Sequence, residues 1–377
     1  MIELVPSLLI GFLTVLIGAP YAKTYLLASG IFGVDQQKED KPWIPTSGGV
    51  LVLFGFIFSV TSFLGVSSLL NIPLNDAGVL AALSSVTLIA LIGLLDDIHV
   101  NIELIVKEEL DIKTEEVEFD FLQQFESELP HQKASKYFQT MVTKKESADT
   151  MVREGLGQTP KMIFVLPAVF PLIAVSAGST EMILPFIGYF DWGIFYPLVL
   201  LPIGLLFVSN VVNMLAGTNG LAASLSMVAA TALGIRALMA SNLEAALIGL
   251  SLAACLAAFL YYNLYPASFL PGDSLTYLCG AALFSTMVLG NMEKFGVFIF
   301  TPWITEFFLK ARGGFKPHSW GILQEDRSLK PQHEKTYSLT HPLMRRGYTE
   351  PQITRILTGL EVLICGLALY LASTGLL

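Results

Sequence analysis

Charge is scarce in this chain. Only 14% of its 377 residues are Asp, Glu, Lys or Arg, against roughly a quarter in an ordinary soluble domain. Apolar residues make up 53%, with Phe alone occurring 25 times. So little charge cannot cover a surface in water, so lipid is the solvent for most of the chain. A secreted enzyme, a nuclear factor and a free cytosolic domain are thereby excluded. Positive charge is scarcer still, with 22 Lys and Arg against 31 Asp and Glu and a net charge of −9. A basic face for nucleic acid is not to be expected. Cysteine is rare too: Cys255, Cys279 and Cys365 are dispersed in apolar runs. They form neither a disulfide framework nor a CxxC metal site. The apolar stretch from Val5 has no basic n-region and no clear small-residue cleavage site, so it reads as a first membrane span that is kept.

What the chain has in abundance is long apolar windows. About 20 apolar residues cross the hydrocarbon core as a helix. That criterion predicts about ten spans, near 5–27, 47–66, 78–95, 162–178, 193–212, 220–240, 243–262, 274–289, 292–309 and 352–375. The expected fold is all-α and polytopic, a single integral-membrane domain over 1–377. Several spans are rich in Gly, Ala and Ser, which lets helices pack closely in lipid. With the N-terminus outside, only Arg236 and Lys294 of the 22 basic residues fall at outer ends. This positive-inside bias puts both termini outside and the large polar loops in the cytoplasm. Transporters share such a layout, so the inner loops must separate them from enzymes.

Those loops concentrate the polar chemistry. The first carries Lys41 and leads through Pro42, Pro45 and Gly48-Gly49 into the second span. The third span ends in Asp96-Asp97. Adjacent carboxylates at a helix boundary meet water, a cation or a moving proton, although a solvated helix end looks the same. Asn210, Asn213, Gly217, Asn219 and Gly220 interrupt the stretch between the fifth and sixth spans. Amide oxygens there suit a hard cation, and amide groups can read a base or sugar; a simple hairpin turn is the bland alternative. Asp273 follows Gly272 at the start of the eighth span, as a helix cap or as a third carboxylate in the same cavity. Lys161 opens the fourth span, and the last inner loop offers Lys310, Arg312, Lys316, His341, Arg345 and Arg346. Carboxylates holding Mg²⁺ among such cations are how proteins neutralise a pyrophosphate during transfer.

In these motifs the chain resembles the polyprenyl-phosphate N-acetylhexosamine-1-phosphate transferases, the superfamily of the dolichyl-phosphate N-acetylglucosaminephosphotransferases and the bacterial phospho-N-acetylmuramoyl-pentapeptide transferase. The resemblance covers nearly everything outside 102–154. It rests on Asp96-Asp97, on Lys161, on Asn210 through Gly220, on Tyr262 through Asp273, and on His341-Pro-Leu-Met-Arg-Arg-Gly347. Ala216 stands where many bacterial members have Asp, which points toward the dolichol branch; the histidine stretch is nearer the bacterial form. The mixture suggests an archaeal source. The resemblance implies transfer of a sugar 1-phosphate from a UDP-sugar to a lipid phosphate, with release of UMP.

It also implies roles. Asn213 and Asp273 would ligate Mg²⁺, with Mn²⁺ as a substitute. Asp96, Asp97 and Lys161 would form the catalytic set, the acids orienting the lipid phosphate or accepting its proton and Lys161 binding phosphate. Lys41, Asn210, Asn219, Arg312 and His341 would bind substrate, Asn219 at the uridine and Arg312 at the sugar phosphate. The expected partners are UDP-N-acetylglucosamine, dolichyl or another polyprenyl phosphate and the lipid bilayer, with no nucleic acid; a homodimer is compatible with this. The expected location is the cell membrane, or the endoplasmic reticulum membrane in a eukaryote. Residues 102–154 depart from the family as a polar insertion with thirteen Asp and Glu against seven Lys and Arg, a net of −6. A secondary transporter is the rival reading, but it calls for charge near mid-membrane, where these spans have almost none.

Overall fold

The computed structural model describes residues 2–98, 165–184 and 188–377. In chain order its elements are α1 (Leu4–Ala28), β1 (Phe32–Val34), β2 (Trp43–Pro45), α2 (Gly48–Leu70), α3 (Asp76–Asp97) and α4 (Phe170–Ala174). Then come β3 (Glu181–Leu184), β4 (Gly188–Asp191), α5 (Leu201–Met214), α6 (Leu221–Met239), α7 (Leu243–Asn263) and α8 (Gly272–Leu289). The chain ends with α9 (Glu293–Ile299), α10 (Thr301–Ala311), β5 (Gly321–Leu323), β6 (Leu329–Pro331), α11 (Thr340–Met344) and α12 (Glu350–Ser373). The three strand pairs are separate antiparallel hairpins on the loops.

Among the described residues, eight helices are long and apolar enough to cross a membrane. They correspond to eight of the ten expected spans, α5 gaining an irregular first turn from Tyr196. The other two expected spans come out differently. The described part of 162–178 is a 3-10 turn, Leu166–Val169, followed by the five residues of α4. The window 292–309 divides into α9 and α10 at Phe300. Pro302 cannot donate the N–H that Phe298 would accept. The Thr301 hydroxyl takes its place, donating to the Phe298 carbonyl at 2.6 Å.

The helices enclose α8. Most of its apolar window, 83%, is buried inside the protein, against 28% for α1 and 22% for α12. α8 is therefore the axis of the bundle, and α1 and α12 form part of its lipid-facing rim. Small residues allow this packing. A Cβ at Gly93 of α3 would come within 2.6 Å of the Asp273 carbonyl oxygen, and at the far end of the same pair Gly78 lies against Leu289. α3 and α8 thus run antiparallel, side by side over their whole length. Side-chain caps start two helices at the opposite end, where Asn75 accepts from the Gly78 N–H and Asn242 from the Ala245 N–H.

Candidate active site

The polar end of the bundle is organised by α8. Asp97, the last residue of α3, turns its carboxylate onto the first turn of α8. Oδ1 accepts the Asp273 N–H at 2.7 Å and Oδ2 accepts the Ser274 N–H at 3.1 Å. These two donors are among the four that a helix start leaves without intrahelical partners. Gly272 makes the approach possible: it sits at φ +68°, and a Cβ there would lie 2.8 Å from the Ser47 nitrogen and 2.9 Å from the Asp97 Cγ. Asp96 and Asp97 are both buried. Asp96, Asp97 and Asp273 all lie within electrostatic range of the Tyr277 hydroxyl, one turn into α8. Carboxylates from two segments far apart in sequence, Asp96-Asp97 and Asp273, therefore share one helix end.

Asn213 comes from α5, which packs against the other side of α8. Gly280 lies against Ser209 and Gly204 against Phe284, so these two helices are also antiparallel. At 1.5 Å per residue, Asn213 lies about 6 Å beyond that Ser209–Gly280 level and Asp273 about 10.5 Å beyond it. Their axial separation is about 4.5 Å. Asn210 is used differently: its Nδ2 donates to the Leu206 carbonyl of its own helix at 2.8 Å. Among the described residues, no three His, Cys, Asp or Glu side chains are grouped so as to hold a metal ion by themselves. The oxygen donors at this level are hard ones, an amide at Asn213 and carboxylates at Asp96 and Asp273. That set suits Mg²⁺, which keeps waters and substrate phosphates in its shell and uses one or two carboxylates.

Asn219 belongs to a second cluster next to this one. Its backbone N–H donates to Glu350 Oε1 at 2.7 Å, and its carbonyl accepts from the Thr354 hydroxyl at 3.0 Å. Its side-chain Oδ1 accepts from the Ala267 N–H at 3.3 Å. Glu350 Oε2 meets Lys38 Nζ at 2.5 Å, and Lys38 also pairs with Asp35 at 3.1 Å and lies 4.5 Å from the centre of the Tyr265 ring. Gln37 completes the cluster. Its Nε2 donates to the Gly217 carbonyl at 2.7 Å and its Oε1 accepts the Gly321 N–H at 3.0 Å. Asp35, Gln37, Lys38, Asn219 and Glu350 are all buried.

The loop between α10 and α12 folds around Glu306. Its Oε2 accepts from the Leu339 N–H at 2.7 Å and from the Ser338 hydroxyl at 3.1 Å. Lys310 donates to the Pro317 carbonyl at 2.5 Å. His341 is fully buried: Nδ1 accepts the Tyr337 N–H at 3.3 Å and Nε2 lies 2.9 Å from the His318 carbonyl. With Nδ1 accepting, the proton sits on Nε2 and donates to that carbonyl. Burial first, then the charges of Lys310 and Arg345, holds its pKa below the usual histidine value. Expected to bind substrate, His341 is seen here shaping the loop with both ring nitrogens. Arg312 is exposed at the end of α10. Lys41, at φ +41°, helps line an open cleft of about 880 Å³ facing Trp320 and Arg327. Lys161 and the 102–154 insertion lie outside the described residues.

Asp97 and Asp273 thus come together with Asp96 beside them, Asn213 lies at a similar level on the adjacent α5, and Asn219 sits in the neighbouring cluster. Arg312 and His341 belong to the separate last loop. The sequence reading missed Asp35, Gln37, Lys38, Glu306 and Glu350. One local signal was available. Thr349 and Gln352 form a capping box that starts α12 with Glu350 in its first turn. The partners of Glu350 leave no such mark.

Known proteins match this chain at the level of family. A family model described as glycosyl transferase family 4 matches residues 149–291, a stretch holding Lys161, the Asn-rich loop and Asp273 but not Asp96-Asp97. A provisionally named UDP-N-acetylglucosamine–dolichyl-phosphate N-acetylglucosaminephosphotransferase of Saccharolobus solfataricus is 32% identical over 349 residues, covering 92% of this chain and 89% of that protein. A protein of Sulfolobus acidocaldarius, provisionally given the same name, is 30% identical over 96% of this chain and 94% of its own length. The chain belongs to glycosyl transferase family 4, as a polytopic membrane member. More distant matches include the UDP-N-acetylglucosamine–dolichyl-phosphate N-acetylglucosaminephosphotransferase of Dictyostelium discoideum, 27% identical over 46% of this chain and 49% of that protein. A phospho-N-acetylmuramoyl-pentapeptide-transferase of Clostridium perfringens is 25% identical over 57% of this chain and 66% of its own length.

Proposed function

We propose that this protein transfers N-acetylglucosamine 1-phosphate from UDP-N-acetylglucosamine to dolichyl or another polyprenyl phosphate, releasing UMP at the cytoplasmic face. An oxygen of the lipid phosphate attacks the phosphorus that carries the sugar. A phosphorus–oxygen bond forms there as the bond to the UMP phosphate breaks. The attacking oxygen already carries charge, so the work of the protein is positioning and charge neutralisation. The observation that carries this reading is the meeting of Asp96, Asp97 and Asp273 at the start of α8, with Asn213 at about the same level along the adjacent α5.

Asp273 and Asn213 would hold Mg²⁺, which when bound would neutralise the pyrophosphate. Asp97 has both oxygens occupied by backbone N–H groups of α8. Its part is to fix Asp273, and the task of orienting the lipid phosphate or taking its proton falls to Asp96. Lys161 would bind phosphate, and Asn219 would present its amide to the nucleotide. Lys41 and Arg312 lie on the surfaces that flank this end of the bundle and would meet the sugar phosphate.

Purified protein given UDP-N-acetylglucosamine, dolichyl phosphate and Mg²⁺ should release UMP, and a panel of other UDP-hexosamines and polyprenyl phosphates should rank below this pair. Replacing Asp273 by Asn should lower kcat by two orders of magnitude or more, on the order of 3 kcal/mol of lost transition-state stabilisation. Wild-type turnover in that variant would remove Asp273 from the site.

A further inference from the structure

Lys38 and Glu350 have no part in the chemistry proposed above, yet they join the loops on which it depends. Lys38 stands in the first inner loop and Glu350 opens the last long helix. Between them they touch or adjoin four separate segments. Glu350 Oε1 holds the Asn219 N–H, and the Lys38 ammonium lies over the Tyr265 ring of the loop before α8. The neighbouring Gln37 ties Gly217 of the Asn-rich loop to Gly321 of the last inner loop. Every ionised member of the cluster is buried, and a buried pair is hard to justify by stability alone.

The geometry narrows what the cluster could do. The Asn219 N–H is taken by Glu350, its carbonyl by Thr354, and its Oδ1 by Ala267. With these three fixed, the carboxamide plane is fixed, and its Nδ2 is the donor left over. We propose that Lys38 and Glu350 are positioning residues that hold Asn219 in the orientation needed to bind the nucleotide. This rests on the reading of Asn219 as a nucleotide contact in the transferase proposed above. Glu350 acts directly on the Asn219 backbone. Lys38 acts through Glu350, neutralising it beside Asp35.

A positioning role at the nucleotide and a merely structural role predict different kinetics. Loosened nucleotide binding that is equal in ground and transition states raises KM and spares kcat. Partial unfolding lowers the active fraction and leaves KM unchanged. Glu350→Gln keeps the shape but loses the charge-assisted hydrogen bond. It should raise KM for UDP-N-acetylglucosamine about tenfold while kcat stays within about twofold. Lys38→Met leaves Asp35 and Glu350 facing each other without a cation, so its KM should rise further. Adding Glu350→Gln to Lys38→Met removes one of those charges and should bring KM back down. Unchanged KM in both single variants, or a double variant worse than Lys38→Met, would overturn the proposal.

A second readout needs no activity. Amide hydrogen exchange should quicken at Asn219 in Glu350→Gln and stay unchanged at Ala245, whose N–H is capped by Asn242 at the opposite end of the bundle. Faster exchange at both sites, or at neither, would overturn the positioning role. Absence of UMP release from the wild-type protein would instead sink the transferase reading and leave the exchange result standing.

Discussion

Glu350 and Glu361 are two buried acids on one helix, about three turns apart and on the same face. Glu350 lies at the polar end and is fully served: a lysine, the Gln37 amide and the Asn219 N–H surround its oxygens. Glu361 lies midway along α12 and has one hydrogen-bond partner among the described residues, the Cys365 thiol, which donates to Oε1 at 3.2 Å. Its Oε2 has no protein partner among the described residues. The same side chain thus meets a lysine and N–H donors at one level and, among the described residues, no cation at the other, where an isolated charge is costly. Asp97 shows a third solution, a carboxylate satisfied by the N-terminal amides of a helix. What distinguishes these buried acids is the set of donors that the fold brings to each.

The largest effect should follow from deleting the served acid. Glu350→Ala strips Lys38 and the Asn219 N–H of an acceptor together, and breaking a buried pair in this way costs about 3–5 kcal/mol. Thermal unfolding in detergent should show a large fall in midpoint. A fall no larger than that of a surface substitution would mean that the partners of Glu350 contribute nothing. Next in size is Gly272→Ala, which places a methyl between Asp97 and Ser47 at a φ of +68°. About 2 kcal/mol of stability should be lost, and turnover with it, because the Asp97 cap on α8 is displaced. Retained activity at wild-type stability would show that the helix amides are not the partners that Asp97 requires.

A smaller effect is expected from pH. The pKa of His341 lies below its unfolded value of about 6.5. Its contribution to stability is therefore fully present above that unfolded value and is lost as pH falls through the lower folded pKa. The unfolding midpoint should drop between pH 6.5 and more acid values, and His341→Gln should flatten that part of the profile. The smallest effect belongs to Glu361. Glu361→Gln keeps the shape of a side chain that has no cation beside it among the described residues, and should change stability by no more than about 0.5 kcal/mol. A loss comparable to that of Glu350→Ala would show that Glu361 is ionised and paired, and would erase the contrast between the two acids.

Much of the bundle could be read from apolar windows, because each long helix buries or exposes its whole length to lipid and needs no partner to be recognised. The Asn-rich loop and Asp273 were also legible, since amides and carboxylates are rare beside such spans. The division of 292–309 was signalled by Thr301-Pro302, but a hydropathy window averages over a single proline. That Asp273 would join Asp96 and Asp97 in one cavity was legible, but the hydrogen bonds of Asp97 to the first N–H groups of α8 were not, because they depend on the packing of α3 on α8. Lys38 and Glu350 passed unnoticed for the same reason. His341 is expected to bind substrate because its stretch resembles the family's histidine motif, whereas its two backbone hydrogen bonds depend on a loop conformation that no spacing reveals. The expectation of spans almost free of mid-membrane charge overlooked Glu361, a lone acid inside a long apolar run.

The tight seating of α8 has a mechanical consequence. Gly49 and Gly93 press directly on the backbone of its first turn, and neither site has room for a methyl group. A helix gripped on two sides at one end cannot ratchet lengthwise without first prising its neighbours apart. α1 and α12, largely outside the packed interior, are under no such restraint. In a bilayer thicker or thinner than the bundle, the mismatch should be absorbed by tilting of those two outer helices, leaving the carboxylates at the head of α8 at a constant depth.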